Sequence, residues 1–171
     1  MPNVPQKING FAVYDDTEEL LGISGEITLP NLEAMSESYS GAGMLGEIDS
    51  PNPGHFSSLN IEIPFRVLYQ KSFSLLKYTG RNLVLRASQQ SIDSATGRLV
   101  RQGLKITLRT EPKGLNLGKF ANGAATETTN SLEILYIKIE IDGVVVFELD
   151  KLNYVYIVDG EDMLADIKKH L

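Results

Sequence analysis

The side chains best suited to acid–base or metal chemistry fall into three groups. Asp15, Asp16, Glu18 and Glu19 crowd one short segment, and Asp159, Glu161 and Asp162 crowd another. Paired carboxylates can serve general acid–base catalysis or hold hard cations. Neither run has the ligand spacing of a calcium loop, and a solvated acidic turn accounts for each. The third group is Glu47, Asp49 and His55. His55 could act as a general base, yet no nucleophile or second carboxylate is set beside it by motif. His170 lies far from it in sequence and cysteine is absent, so no histidine-rich metal site, thiolate site or disulfide is expected. Two glycine motifs complete the inventory. Gly41 to Gly46, GAGMLG, fits G-x-G-x-x-G, but a dinucleotide site needs a helix next, and EIDSPNPG with its two prolines cannot begin one. Gly114 to Phe120, GLNLGKF, is one residue short of a P-loop and puts Phe120 where Ser or Thr should hold magnesium. No catalytic residue, cofactor or metal is therefore expected, and the chain does not read as an enzyme.

Composition narrows the class further. A chain of 171 residues is most simply a single domain, 1–171, able to bury a substantial core. No apolar run approaches the ~20 residues of a membrane span, and MPNVPQKING lacks the charged start and apolar stretch of a signal peptide. A soluble, cytoplasmically made protein with no membrane partner is expected. The formal net charge is −6 and the basic residues are scattered along the chain. Nucleic-acid binders usually cluster Lys and Arg to neutralise phosphates, so such binding is disfavoured.

Alternation dominates the rest. Leu59, Ile61, Ile63, Phe65 and Val67 share one face of a strand, and Pro64 marks that strand as an edge or a bulge. Leu104, Ile106 and Leu108 alternate with polar residues, as do Leu135, Ile137, Ile139 and Ile141. Val144–Leu149 and Tyr154–Val158 read as strands, joined to their neighbours by turns that include Asp142-Gly143, a two-residue hairpin signal. Ser91 to Leu99 reads as a longer hairpin between Asn82–Ser88 and Leu99–Arg109. Phe11–Tyr14 and Leu20–Leu29 read as strands around an acidic turn, and Pro112–Asn122 as a loop. Tyr69–Thr79 predicts a helix with Tyr69, Phe73 and Leu76 on one face and Gly80 as its stop. Asp162–Leu171 predicts a terminal helix with Leu164, Ile167 and Leu171 together. The sum is a mainly β domain, an antiparallel sandwich or barrel with one internal helix and a short C-terminal helix.

Between two of these strands lies a stretch of about fourteen residues, 41–54, rich in glycine and proline, and a structureless connection of that length is usually functional. It holds almost no chemistry and no Lys or Arg, which suits contact with a neighbour better than contact with a substrate.

The residues around it also carry a family likeness. LPNLEAMSESYSGAGMLGEIDSPNPGHFSSLNIEI, from Leu29, closely resembles the major tail tube protein of contractile-tailed phages, and NSLEILYIKIEIDGVVVFELDKLNYVYIVDGEDMLADI resembles its C-terminal half. The resemblance implies a β-sandwich subunit forming sixfold rings that stack into a tube inside a contractile sheath. One sheet would join its neighbours into a barrel lining the channel, and the loop near 41–54 would reach the adjacent ring. Its contact residues would be Gly41, Gly43, Met44, Leu45, Gly46, Ile48, Pro51, Pro53 and His55; the alternative is that Met44 and Leu45 fold back onto their own core. Implied partners are further copies of the chain, sheath, baseplate and tape-measure proteins, with DNA passing through the lumen without specific binding. Related tubes occur in phage-derived bacteriocins and type VI secretion. The location implied is a virion tail or phage-like particle. A second reading is a β-sandwich module binding glycan or peptide, whose mark would be an exposed aromatic platform; Trp is absent.

Overall fold

The computed structural model describes residues 2–171. In chain order its elements are β1 (Asn3–Asp15), β2 (Glu18–Glu19), β3 (Ala34–Tyr39), β4 (Ile48–Phe56), β5 (Asn60–Phe65), α1 (Gln70–Ser74), β6 (Arg81–Asp93), β7 (Leu99–Asn116), β8 (Thr128–Ile141), β9 (Val144–Asp150), β10 (Val155–Val158), β11 (Glu161–Asp162) and α2 (Ala165–Lys168). The main sheet is antiparallel, in the order β11-β10-β9-β8-β7-β6-β1-β2, and β3 with β4 forms a separate two-stranded sheet. The architecture is mostly antiparallel β with two short helices, as the alternation predicts.

β8 organises the core. One edge pairs with β7; the other edge is shared, with β5 along Thr128–Glu133 and β9 along Tyr136–Ile141. Residues 20–24 then link β5 back to β1. Leu20 donates its N–H to Val13, Ser24 to Pro64 and Arg66 to Gly22, at 2.8, 2.9 and 2.9 Å. This closes one end of the sheet into a small barrel. Ile61, Ile63, Phe65, Leu83, Leu108, Leu132 and Ile134 are fully buried inside it, each contributing roughly 1.5–3 kcal/mol relative to exposure. Leu75, just past α1, plugs the same core, and the buried Asn130 amide donates to the Ser72 carbonyl at 2.8 Å. The inward face of β5 is the one read from its alternation as far as Phe65, whereas Val67 lies beyond the strand and is exposed; Pro64 sits on an edge strand as expected.

Several expectations are corrected. Leu20–Leu29 forms no strand beyond the single bridge Ile23–Phe65; its apolar residues Ile23 and Ile27 pack on the core without a ladder. Pro112 lies inside β7, which runs on to Asn116. There β6 has already ended, at the Arg81–Thr110 pair, so Pro112 occupies an unpaired edge where its missing N–H costs nothing. Leu135 falls out of phase because a bulge sets Arg109 opposite Tyr136 but Thr110 opposite Ile134. Both helices are a turn or so long. α1 and the turn after it bury Ser72 and Leu75 and leave Phe73 exposed, and of the terminal group only Leu164 is buried. Gly80 does take positive φ. The turn Asp142-Gly143 has φ of 49° and 78°, the two-residue turn expected there.

Candidate assembly surfaces

The glycine-rich segment is a hairpin. β3 and β4 pair from Tyr39–Ile48 to Ser36–Pro51, so the connection shrinks to residues 40–47. This revises the structureless loop at 41–54. Pro51 and Pro53 are tolerated because the hairpin has no third strand to accept their missing N–H groups. Nearly every residue of β3 and β4 is exposed on both faces, so the hairpin has no core of its own.

Its root is fixed firmly. β4 carries several extra residues opposite Met35, within which Pro53, Gly54 and His55 fall. Gly54 has φ +77°, and a Cβ there would lie 2.8 Å from Leu164 Cδ2, so only glycine lets the backbone press on that buried leucine. Phe56 follows, edge-on to Phe147 and Tyr156 at 6.4 and 5.2 Å between ring centroids. Ser57 donates its N–H to the Glu33 carbonyl at 3.1 Å.

The predicted contact residues therefore divide. Gly41, Gly43, Met44, Leu45 and Gly46 make the tip, where the Met44 N–H bonds the Gly41 carbonyl at 3.1 Å. Ile48 and Pro51 lie along β4. Pro53 and His55 sit at the root, where His55 lines a 190 Å³ cleft with Lys151, Tyr154 and Leu164. Met44 lies back over its own turn, its Sδ 3.9 Å from where a Gly41 Cβ would stand, whereas Leu45 is wholly exposed. Glu37, Glu47 and Asp49 have no ion-pair partner among the described residues.

A second surface was missed in the sequence. β1, the C-terminal half of β6 and the N-terminal half of β7 form a three-stranded ribbon that outruns the core, and β1 is exposed from Asn3 to Gly10. β2 covers only Tyr14 and Asp15, so among the described residues most of the outer edge of β1 has no strand partner. Two bulges interrupt β1, at Gln6 and Asn9. Both bulged side chains bond one amide: Asn9 Nδ2 donates to Gln90 Oε1 at 2.9 Å, and Gln90 Nε2 donates to Gln6 Oε1 at 2.8 Å.

The sheet also gathers charges that are dispersed in the sequence. Register places Lys7, Arg86, Arg101, Lys105, Arg109 and Lys138 on one face with Glu140, Glu148 and Asp150. The central rows are matched internally, Lys105–Glu140 at 3.5 Å, Lys138–Glu140 at 3.9 Å and Arg109–Asp150 at 3.9 Å. Burial would raise the Asp150 carboxyl, but the Asn153 side chain, the N–H groups of Leu152 and Asn153, and Arg109 together hold it below its ordinary 3.8. On the same face burial, then the hydrogen bond to Glu148, pushes the Tyr136 phenol up to about 12.

Three carboxylates of the acidic runs form structural pairs, and Asp16, Glu19, Asp159 and Glu161 have no ion-pair partner among the described residues. Asp15 is buried against Arg81, which also reaches Ser74; burial raises its carboxyl in spite of the guanidinium. Glu18 pairs with Lys71 and Asp162 with Lys168. Among the described residues no group of three or more acidic, histidine or cysteine side chains could hold a metal ion. GAGMLG leads into β4 and not a helix, and Lys119 of GLNLGKF pairs with Glu127 at 3.2 Å.

Comparison with known proteins bears on these surfaces. A family model described as phage tail tube protein FII matches residues 5–171. The tail tube protein of Escherichia phage P2 is 25% identical over 98% of this chain and 98% of its own length. The major tail tube protein of Serratia phage KSP20 is 24% identical over 95% of this chain and 93% of its own. Among solved structures, the sheath/tube terminator of an extracellular contractile injection system, PVC, in its extended state, superposes with a TM-score of 0.56 at 14% identity, over 80% of this chain and 96% of that one. That last likeness is one of fold.

Proposed function

This chain belongs to the phage tail tube protein FII family, and from that premise we propose that it self-assembles into stacked hexameric rings forming the inner tube of a contractile tail or phage-like particle. It is a tail tube protein, structural and not enzymatic. The rings enclose a channel for DNA or effectors, the outer wall meets the sheath, one end meets the baseplate, and the lumen holds the tape-measure protein during assembly in the bacterial cytoplasm.

The observation that carries this reading is the β3–β4 hairpin. A two-stranded ribbon exposed on both faces is marginal in water by itself. Here it is anchored at its root by Gly54 and Phe56 and holds an apolar tip away from its own core. Such an arm is best understood as half of a contact. The open edge of β1 supports ring closure, because an unpaired strand is a template for another chain and closure through neighbours removes the edge. The net charge of −6 and the matched central charges of the polar face support a channel that does not grip phosphates.

Electron microscopy of the purified protein, alone and with a baseplate to nucleate growth, tests the reading. Rings and tubes are expected. A monodisperse monomer at high concentration under both conditions overturns it.

A further inference from the structure

Two projections leave the barrel, and they are chemically unlike. The hairpin carries Glu37, Glu47 and Asp49, and neither Lys nor Arg occurs between residues 8 and 65. Leu45 lies in the turn closed by the cross-strand pair Tyr39–Ile48, and all three are exposed. At the far end of the β1–β6–β7 ribbon the signs reverse. Val4, Ile92 and Leu99 form one cross-strand row, with Val4 and Leu99 half exposed. The next row on that face is Lys7, Gln90 and Arg101, and Arg98 stands in the adjoining turn. Lys7, Arg98 and Arg101 have no ion-pair partner among the described residues. The hairpin tip carries unpaired acids alone; at the ribbon end three unpaired cations outnumber one carboxylate, Asp93, which accepts from Ala95 N–H and the Thr96 hydroxyl of its own turn at 2.9 and 2.8 Å, so the balance of charge is opposite.

We infer that the hairpin tip of one copy docks on the ribbon end of a copy in the next ring, with Leu45, Tyr39 and Ile48 against Val4, Ile92 and Leu99. Glu37, Glu47 and Asp49 then face Lys7, Arg98 and Arg101. The inference rests on the tube reading and names the receiving surface for the arm. Unlike surfaces make a heterologous contact, which between rings propagates head to tail along the axis, whereas a self-complementary patch would close into a dimer. Charge matching across the contact also fixes which end of a ring accepts the next.

Because the chain lacks cysteine, a disulfide reports the contact cleanly. In tubes of the Leu45→Cys, Leu99→Cys variant, oxidation is expected to give a ladder on non-reducing gels that runs past the number of copies in a ring. Variant tubes that form as the wild-type tubes do but give no such ladder overturn the inference and leave the tube reading standing. A ladder that stops at one ring places the contact between ring neighbours and overturns axial docking. A ladder from Leu45→Cys with Leu29→Cys instead moves the tip to the apolar groove that Leu29 lines with Ile8 and Phe11, and so overturns docking on the ribbon end. Wild-type protein that never forms tubes, even on a baseplate, overturns both readings. A second measurement uses charge. Glu47→Lys with Asp49→Lys, and separately Arg98→Glu with Arg101→Glu, should each raise the concentration needed for tubes about tenfold or more, by placing like charges in contact. An equal mixture of the two variants should co-assemble in alternation near the wild-type concentration. Variants that assemble as readily as wild type, or a mixture that fails to recover, count against the pairing.

Discussion

Gln90 sits where the two irregularities of β1 meet, and it holds both. A bulge leaves one residue without a ladder partner; here the side chains of Gln6 and Asn9 recover hydrogen bonds from a single buried amide. Truncation in Gln90→Ala removes two bonds of about 0.5–1.5 kcal/mol each, so unassembled protein should lose about 1–3 kcal/mol. Urea unfolding would read this as a lower midpoint at unchanged slope, with Gln89→Ala, outside the clasp, as control. Nothing in the sequence marks this feature, because glutamine and asparagine beside a strand read equally well as solvated residues. Tyr136 makes a pH-dependent counterpart. Its folded phenol titrates at about 12 against an ordinary 10, so the stability it contributes is whole below pH 10 and is lost as the pH climbs through 12. Asp150 has the opposite sign: its carboxyl is lowered, so its contribution is whole above 3.8 and is lost as the pH falls through the lowered value. Denaturation midpoints at stepped pH should show the alkaline limb between 10 and 12 flattened in Tyr136→Phe and the acid limb flattened in Asp150→Asn.

At the scale of elements, what was legible is what is half buried. β5 and β7 were readable because one face meets the core and the other meets water, β9 because its residues are branched and aromatic, and the Asp142-Gly143 turn because its backbone demands those residues. The hairpin escaped because alternation reports burial, not pairing, and neither face of β3 or β4 is buried. Leu20–Leu29 misled in the converse way: apolar residues at strand-like spacing pack on the core without hydrogen bonding along it. The same distinction sets the element-level prediction. Tyr39 and Ile48 are already paired, so replacing residues 40–47 by Asn-Gly should close the hairpin with a two-residue turn and keep its register. The circular dichroism spectrum should be unchanged and the unfolding free energy should change by less than about 0.5 kcal/mol, as for a surface change, while tubes disappear from micrographs. Cutting out 41–54 as a block is a different operation. It would remove most of β4 together with Gly54, whose backbone presses on Leu164, and so disturb the fold as well as the contact.

For the whole molecule the question is which hydrogen bonds a single copy leaves open. The barrel end is closed by residues 20–24, and its core needs no neighbour. The ribbon end is different, because β1 is bonded to β6 on one side and, before Tyr14, to no strand on the other. Proline at position 5 and two bulges keep that edge from pairing indiscriminately, so a partner must match an irregular strand. Amide exchange separates the two sides. In unassembled protein, segment 3–12 should split into slow amides facing β6 and fast amides facing outward, while β8 and the stretch Leu104–Thr110 of β7, paired on both sides, stay slow. On assembly the fast set should slow by at least about tenfold if neighbouring copies supply the missing acceptors, since exchange then requires opening an interface as well as a strand. Protection gained at the hairpin tip, with none gained along β1, would mean that rings close through side chains and that this edge stays open in the tube.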